Sequence, residues 1–332
     1  MDDLIFFLNR AVFSGAVLGS IYALGAVGVT LIFGILRFAH FAHGDMMTLG
    51  AFIAYGLALI AAGLGISTFW PTGFIVLPLA IPLTVLAALL IDRSVYQPLR
   101  DRGAKPVTLL IGSIGVTLVI QGLIRLIAGT STYTFFANEP KEIFRFSTEW
   151  MGGTRPFSLT EPQLLLFAVT LMSVTGLHLF LTRTRLGKGM RAMADNAALA
   201  QVSGINTRQV IRATWVIAGT LCCIAGTMLA LDVSLESDLA FNIVLPIFAA
   251  AIVGGLGHAY GAIAGGFLVG FAETLAVFNW TVVLRPFRDS LPFALPNELY
   301  IVPTEYKLTV AFVILVLVLL VRPTGIFKGA ST

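Results

Sequence analysis

Long apolar runs separated by short polar stretches recur along the whole chain. They lie at about 11–36, 46–64, 73–91, 107–128, 162–182, 211–231, 243–257, 259–278 and 307–321. Most approach the ~20 residues that a helix needs to cross a ~30 Å hydrocarbon core. The ten-residue alternation of a membrane barrel is absent. The pattern predicts an all-α, polytopic membrane helix bundle with eight or nine transmembrane helices. Some runs are short, which predicts that one or two are broken or re-entrant.

Composition supports this picture. The chain is 57% hydrophobic and 11% charged, with mean hydropathy +0.92, whereas a soluble domain carries about a quarter charged residues. So large an apolar excess cannot be buried in one soluble core. The opening MDDLIFFLNRAVF is acidic where a secretory signal is basic, so it is expected to be retained. Cys222 and Cys223 are adjacent; on a helix they point different ways and read as small core residues rather than a disulfide. The net charge of +4 does not suggest nucleic acid.

What matters in a membrane protein is where the basic residues fall. Loop 92–106 holds Arg93, Arg100, Arg102 and Lys105; loop 183–212 holds Arg183, Arg185, Lys188, Arg191, Arg208 and Arg212; the tail adds Arg322 and Lys328. The segment 129–161 offsets Lys141, Arg145 and Arg155 with Glu139, Glu142, Glu149 and Glu161, and 232–242 carries Asp232, Glu236 and Asp238 with no basic residue. The positive-inside rule therefore puts 92–106, 183–212 and the tail in the cytoplasm. Nine crossings require an external N-terminus; eight require one re-entrant segment. No extramembrane segment is long enough for a separate folded domain, so 1–332 reads as one transmembrane domain. No GxxxxGK[ST] occurs, and RLGKGM lacks both the first glycine and the hydroxyl residue, so ATP hydrolysis is not expected on this chain.

Two breaks stand out. In RFAHFAHGDMM, Arg37 to Met47, Gly44 is expected to end the first helix and Asp45 to cap the next, accepting from the N–H groups of residues 47 and 48. His40, His43 and Asp45 do not make a convincing metal set, because His178 and His258 are isolated in sequence. The functional alternative is a polar break beside a path, where a helix N-terminus favours an anionic group. The second break, GGLGHAYGAIAGGFLVG, needs a soluble strand–turn–helix to be a dinucleotide loop, and both its flanks are membrane segments. Gly257, Gly261 and Gly265 are spaced by four, as are Gly266 and Gly270, which predicts close helix packing. A break at Gly254–Gly257 bordering a path is the functional alternative, and an inverted repeat would relate the two breaks. Glu273 is an intramembrane carboxylate, expected either to bond a neighbouring hydroxyl or backbone group or to serve the path.

In loop 183–212, Met190 to Val202 is rich in helix formers, and Met190, Met193, Ala197 and Ala200 form one apolar stripe. This predicts one short helix stopped by Gly204, either resting on the bilayer or docking in a partner's groove.

This loop, with FAHGDMMTLGAF, DRSVYQPLR before LLIGSIGVTLVIQ, SGINTRQVIRATWVIAG, AAIVGGLGHAYGAIAGGFLVGFAE and LVLVLLVRPTGIFKG, resembles the branched-chain amino acid permeases of the LivH type, among ABC importers. The patches follow the family's order from about residue 41 to 329. In LivH-type chains Glu is common where Asp45 stands here, and Asn is usual where His40 stands. The resemblance implies a permease domain over 1–332, with a coupling loop at 183–210. It implies that Ala194, Asp195, Ala198, Gly204 and Ile205 touch the ATPase; the two breaks and the intramembrane carboxylate make His43, Gly44, Asp45, Gly254, Gly255 and Glu273 the expected border of the substrate path. Implied partners are two cytoplasmic ATPase subunits binding ATP and Mg, a second related permease, and a periplasmic binding protein. No cofactor or metal on this chain is implied, and the implied location is a bacterial inner membrane. The expected function is translocation of branched-chain or related amino acids, without enzymatic activity. The alternatives are the same machinery for urea, amides or aromatic acids, a stand-alone ion-coupled transporter, and a membrane enzyme.

Overall fold

A computed structural model describes residues 2–65, 70–137, 141–148, 154, 156–286 and 296–327. Glu139, Glu149, Arg155 and Lys328, which entered the charge argument, lie outside the described residues. Eight helices are long and apolar enough to cross a membrane: α1 (Asp2–Leu36), α2 (His43–Gly63), α3 (Leu77–Asp101), α4 (Pro106–Ala128), α5 (Glu161–Arg183), α8 (Thr207–Asp232), α10 (Ala259–Ala276) and α11 (Thr304–Val321). Between α5 and α8 lie two short helices, α6 (Arg185–Asp195) and α7 (Ala197–Val202). The remaining apolar run, the seventh along the chain, is α9 (Phe241–Gly254), whose 14 residues reach about 21 Å. That is too short for a full crossing, and it fills the place of the expected broken segment. The chain is a multi-pass helical membrane protein. A two-stranded antiparallel hairpin, β1 (Ile143–Phe146) with β2 (Phe157–Thr160), sits between α4 and α5 and has no counterpart in the sequence reading.

Two sequence boundaries shift. α1 starts nine residues before the expected run, because a π-helical turn at Leu8–Phe13 carries the helix through Asn9 and Arg10. α3 continues past Ile91 through a second π-helical stretch, Asp92–Tyr96, so Arg93 and Arg100 are helical rather than in a loop. Arg100 there pairs with Asp92 at 2.7 Å.

The packing that positions everything else is made by glycine. α10 uses two faces. Gly266 and Gly270 press on Ala23 and Gly19 of α1; a Cβ at Gly270 would stand 2.5 Å from the Gly19 Cα. Gly261 and Gly265 meet the Gly254 and Ala250 carbonyls of α9. Small residues let backbones approach where lipid supplies no hydrophobic drive between helices. α8 is the other central helix, and a Cβ at Gly226 would run into the Met47 carbonyl of α2. The outermost helix, α11, exposes Val313, Val316, Leu317 and Leu320, as a lipid-facing helix does.

Candidate functional site

The first break is not at Gly44. α1 ends at Leu36, and Arg37 takes the left-handed conformation at φ 58, the sole described non-glycine residue to do so. Residues 37–42 then fold back into the bundle, where Phe38 and His40 are buried against Tyr96 and Trp215. The next helix starts at His43, so Gly44 and Asp45 lie inside its first turn. Asp45 is not the cap: Ala42 holds that place without a side-chain bond. The Asp45 Oδ1 instead accepts from Gln121 Nε2 of α4 at 2.9 Å. A carboxylate in the first turn still suits the positive end of the helix dipole.

Gly44 has a different task from the one expected. A Cβ on it would stand 2.8 Å from the Ala240 carbonyl oxygen and 3.0 Å from the Val244 Cβ. Ala240 N donates to Thr48 Oγ1 at 3.1 Å. The starts of α2 and α9 therefore meet inside the bundle, each preceded by irregular chain, 37–42 and 233–240. His43 completes this patch; its ring lies against Gly28 and the Cys222 Sγ, 3.4 Å from Nε2. Both cysteines are free and buried.

The other path candidates are elsewhere. Gly254 packs on Gly261, and Gly255, at φ 107, is roofed by Gly325 of the tail, whose own Cβ would meet the Gly255 Cα at 2.6 Å. Ile326 N donates to Val253 O at 2.8 Å and fastens this cover. His258 Nδ1 accepts from Gly261 N at 3.0 Å, capping α10. Glu273 is buried in the α1–α10 seam; Tyr22 OH donates to its Oε2 at 2.9 Å, and Oε1 has no partner among the described residues.

The loop 183–212 holds two helices rather than one. Asn196 breaks them and caps the second by accepting from Leu199 N at 3.0 Å. The expected stripe also divides: Met190, Met193 and Ala200 turn into the bundle while Ala197 is exposed. Gly204 stops α7 at φ 85, with Ile205 N donating to Ala200 O and Gly204 N to Gln201 O, the bond pair of a Schellman turn. Ile205 packs over Gly189. Ala198 is exposed, and beside it stand Leu199 and Val202, which are 65% and 87% exposed. These two apolar tips escaped the sequence reading, although their spacing of three puts them on one face. Ala194 and Asp195 close α6, and Arg37 Nη2 donates to the Ala194 carbonyl at 2.6 Å. The first break is thus fastened to the loop.

Residues 11–319 match the family model described as branched-chain amino acid transport system / permease component. The chain belongs to this family. The high-affinity branched-chain amino acid transport system permease protein LivH of Salmonella typhimurium is 31% identical over 332 residues, covering 98% of this chain and 96% of LivH. LivH of Escherichia coli K12 is likewise 31% identical with the same coverage. The corresponding permease protein BraD of Pseudomonas aeruginosa is 31% identical over 327 residues, with 98% and 97% covered. A solved structure, PsaBC from Streptococcus pneumoniae in complex with Fab, aligns with 97% of this chain and 94% of that one at 16% identity and a TM-score of 0.46, too loose to bear on the site. The family's members are permease components of transport systems.

Proposed function

We propose that this chain is a translocating subunit of an ATP-driven importer for branched-chain amino acids in a bacterial inner membrane. The observation that carries the reading is the match with LivH and BraD over nearly the whole of both chains. On this reading the end of the bundle bearing 92–106 and 183–212 faces the cytoplasm. Two cytoplasmic ATPase subunits bind ATP and Mg, a second related permease completes the path, and an extracytoplasmic binding protein delivers the cargo. The exposed Leu199 and Val202 enter a groove on an ATPase as two anchors of one short helix. Arg37, bonded to Ala194, passes the movement of that loop to the start of α2.

The complex, assembled with its ATPases and binding protein in proteoliposomes, is expected to accumulate leucine only with ATP, and an uncoupler of the proton gradient should not change the rate. Uptake without ATP that an uncoupler abolishes would overturn the reading in favour of an ion-coupled transporter. Leu199→Asp with Val202→Asp should leave the protein in the membrane, since both side chains are exposed, and should stop its association with the ATPase.

A further inference from the structure

α4 carries a polar stripe through an otherwise apolar helix. Ser113, Thr117, Gln121 and Arg125 recur at every fourth residue, so they stand above one another on one face. The adjoining face is Ile111, Ile114 and Leu118, all exposed. Polar groups inside a membrane are costly and mark function by default.

The stripe tracks the two irregular segments. Ser113 Oγ accepts from Phe41 N at 3.1 Å, Gln121 Nε2 donates to Asp45, and Arg125 Nε donates to Ser237 Oγ at 3.4 Å. Thr117 is buried, with its hydroxyl beside the Asp45 carboxylate. Packing accounts for Ser113, which holds the break in place. It does not account for a charge standing beside Leu126 and Ile127, which are 81% and 82% exposed. A cation in the last turn suits the helix dipole and can reach to the interface, yet Arg125 turns to Ser237 in the segment that leads into α9. Arg125 lies four residues, about 6 Å along the axis, from Gln121, which bonds Asp45.

We propose that this face is the amino acid's binding site within the membrane. Arg125 takes the α-carboxylate with its planar fork. Asp45, uncovered as the Gln121 amide turns aside, takes the α-ammonium, and the Thr117 hydroxyl bonds the cargo between them. Two opposite charges on one carbon then meet two opposite protein charges, so neither is left unpaired in a medium of low dielectric. The site reads the zwitterion and leaves the side chain free, as suits leucine, isoleucine and valine alike. This assignment rests on the cargo being an amino acid, as proposed above.

The test uses the complete complex in proteoliposomes. Arg125→Gln and Asp45→Asn should each lower ATP-driven leucine uptake about tenfold or more, the scale of one lost charge-assisted pair. Arg125→Lys, which keeps the charge and loses the fork, should fall between. Asn at 45 still accepts the Gln121 bond and Arg125 is exposed, so the amount and melting temperature of the complex should not change. Binding is read separately through Gly122→Cys, at an exposed position with open space around it and buried native cysteines. Leucine should slow its modification by a thiol reagent, and adding Arg125→Gln should remove that protection. Undiminished uptake in both charge variants, or protection absent or indifferent to Arg125, would overturn the site while wild-type uptake of leucine stands. A wild-type complex that takes up no leucine would overturn the reading of the cargo instead.

Discussion

The two interruptions of the bundle are built on opposite plans. At 37–42 the chain turns on a left-handed arginine, buries two histidine rings nearby and delivers a carboxylate to a neighbouring glutamine. At 255–258 it turns on Gly255 and Gly257, and glycine from the tail closes over it. The first spends backbone strain, about 1–2 kcal/mol for a non-glycine residue in this conformation, where glycine would have been free. The second avoids strain and fills space. A broken membrane helix is therefore not in itself a binding site. What separates the two is whether polar side chains from other helices converge there.

The glycine-built seam is the more easily disrupted of the two. Gly265→Val would drive a side chain into the Ala250 carbonyl, backbone against backbone, with no flexible atom to yield. Overpacking costs about 1–3 kcal/mol where neighbours can shift, and more where they cannot. The expected outcome is loss of monodisperse protein on size exclusion in detergent. A well-folded variant with a normal melting temperature would show that α9 and α10 are not held by this contact.

On the polar side, Arg37 separates strain from linkage. Arg37→Ala keeps the left-handed cost and loses the bond to Ala194; Arg37→Gly loses both. Both variants should lower uptake severalfold while the ATPases continue to hydrolyse ATP. Their melting temperatures should differ in the direction of a more stable glycine variant, by about 1 kcal/mol. Equal coupling of hydrolysis to uptake in wild type and both variants would remove Arg37 from the transmission.

Much of this was open to a reader of the sequence, and the reasons for the remainder are physical. Apolar run length announced the spans, because a bilayer core has a fixed thickness. The four-residue glycine spacing announced the α10 seams, because periodicity survives without knowledge of the partner. The start of α2 was misplaced because Gly44 looked like a stop, whereas arginine rarely serves as one; a close approach by Ala240 explains that glycine and cannot be read locally. Asp45 looked like a cap for the same local reason, while its true partner lies 76 residues away. The polar stripe of α4 was legible as a spacing, yet each member alone is unremarkable until 37–42 and 233–240 are seen against it. In the 183–212 loop, Asn196 carried an N-cap signal inside a run of helix formers, and the run masked it.

Two glycines with nearly the same φ differ in what surrounds them. Gly325 has both a positive φ, 84, and a crowded Cβ position; Gly204 has φ 85 and open space around it. Alanine at Gly204 therefore pays for conformation alone, about 1 kcal/mol, and alanine at Gly325 pays for conformation plus the clash with Gly255. Hydrogen exchange at the Ile205 amide, bonded to the Ala200 carbonyl, should quicken about fivefold in Gly204→Ala. The Ile326 amide, bonded to Val253, should quicken much more in Gly325→Ala. Equal quickening at the two amides would mean that the tail is not clamped on Gly255, and that the second interruption is as open as the first.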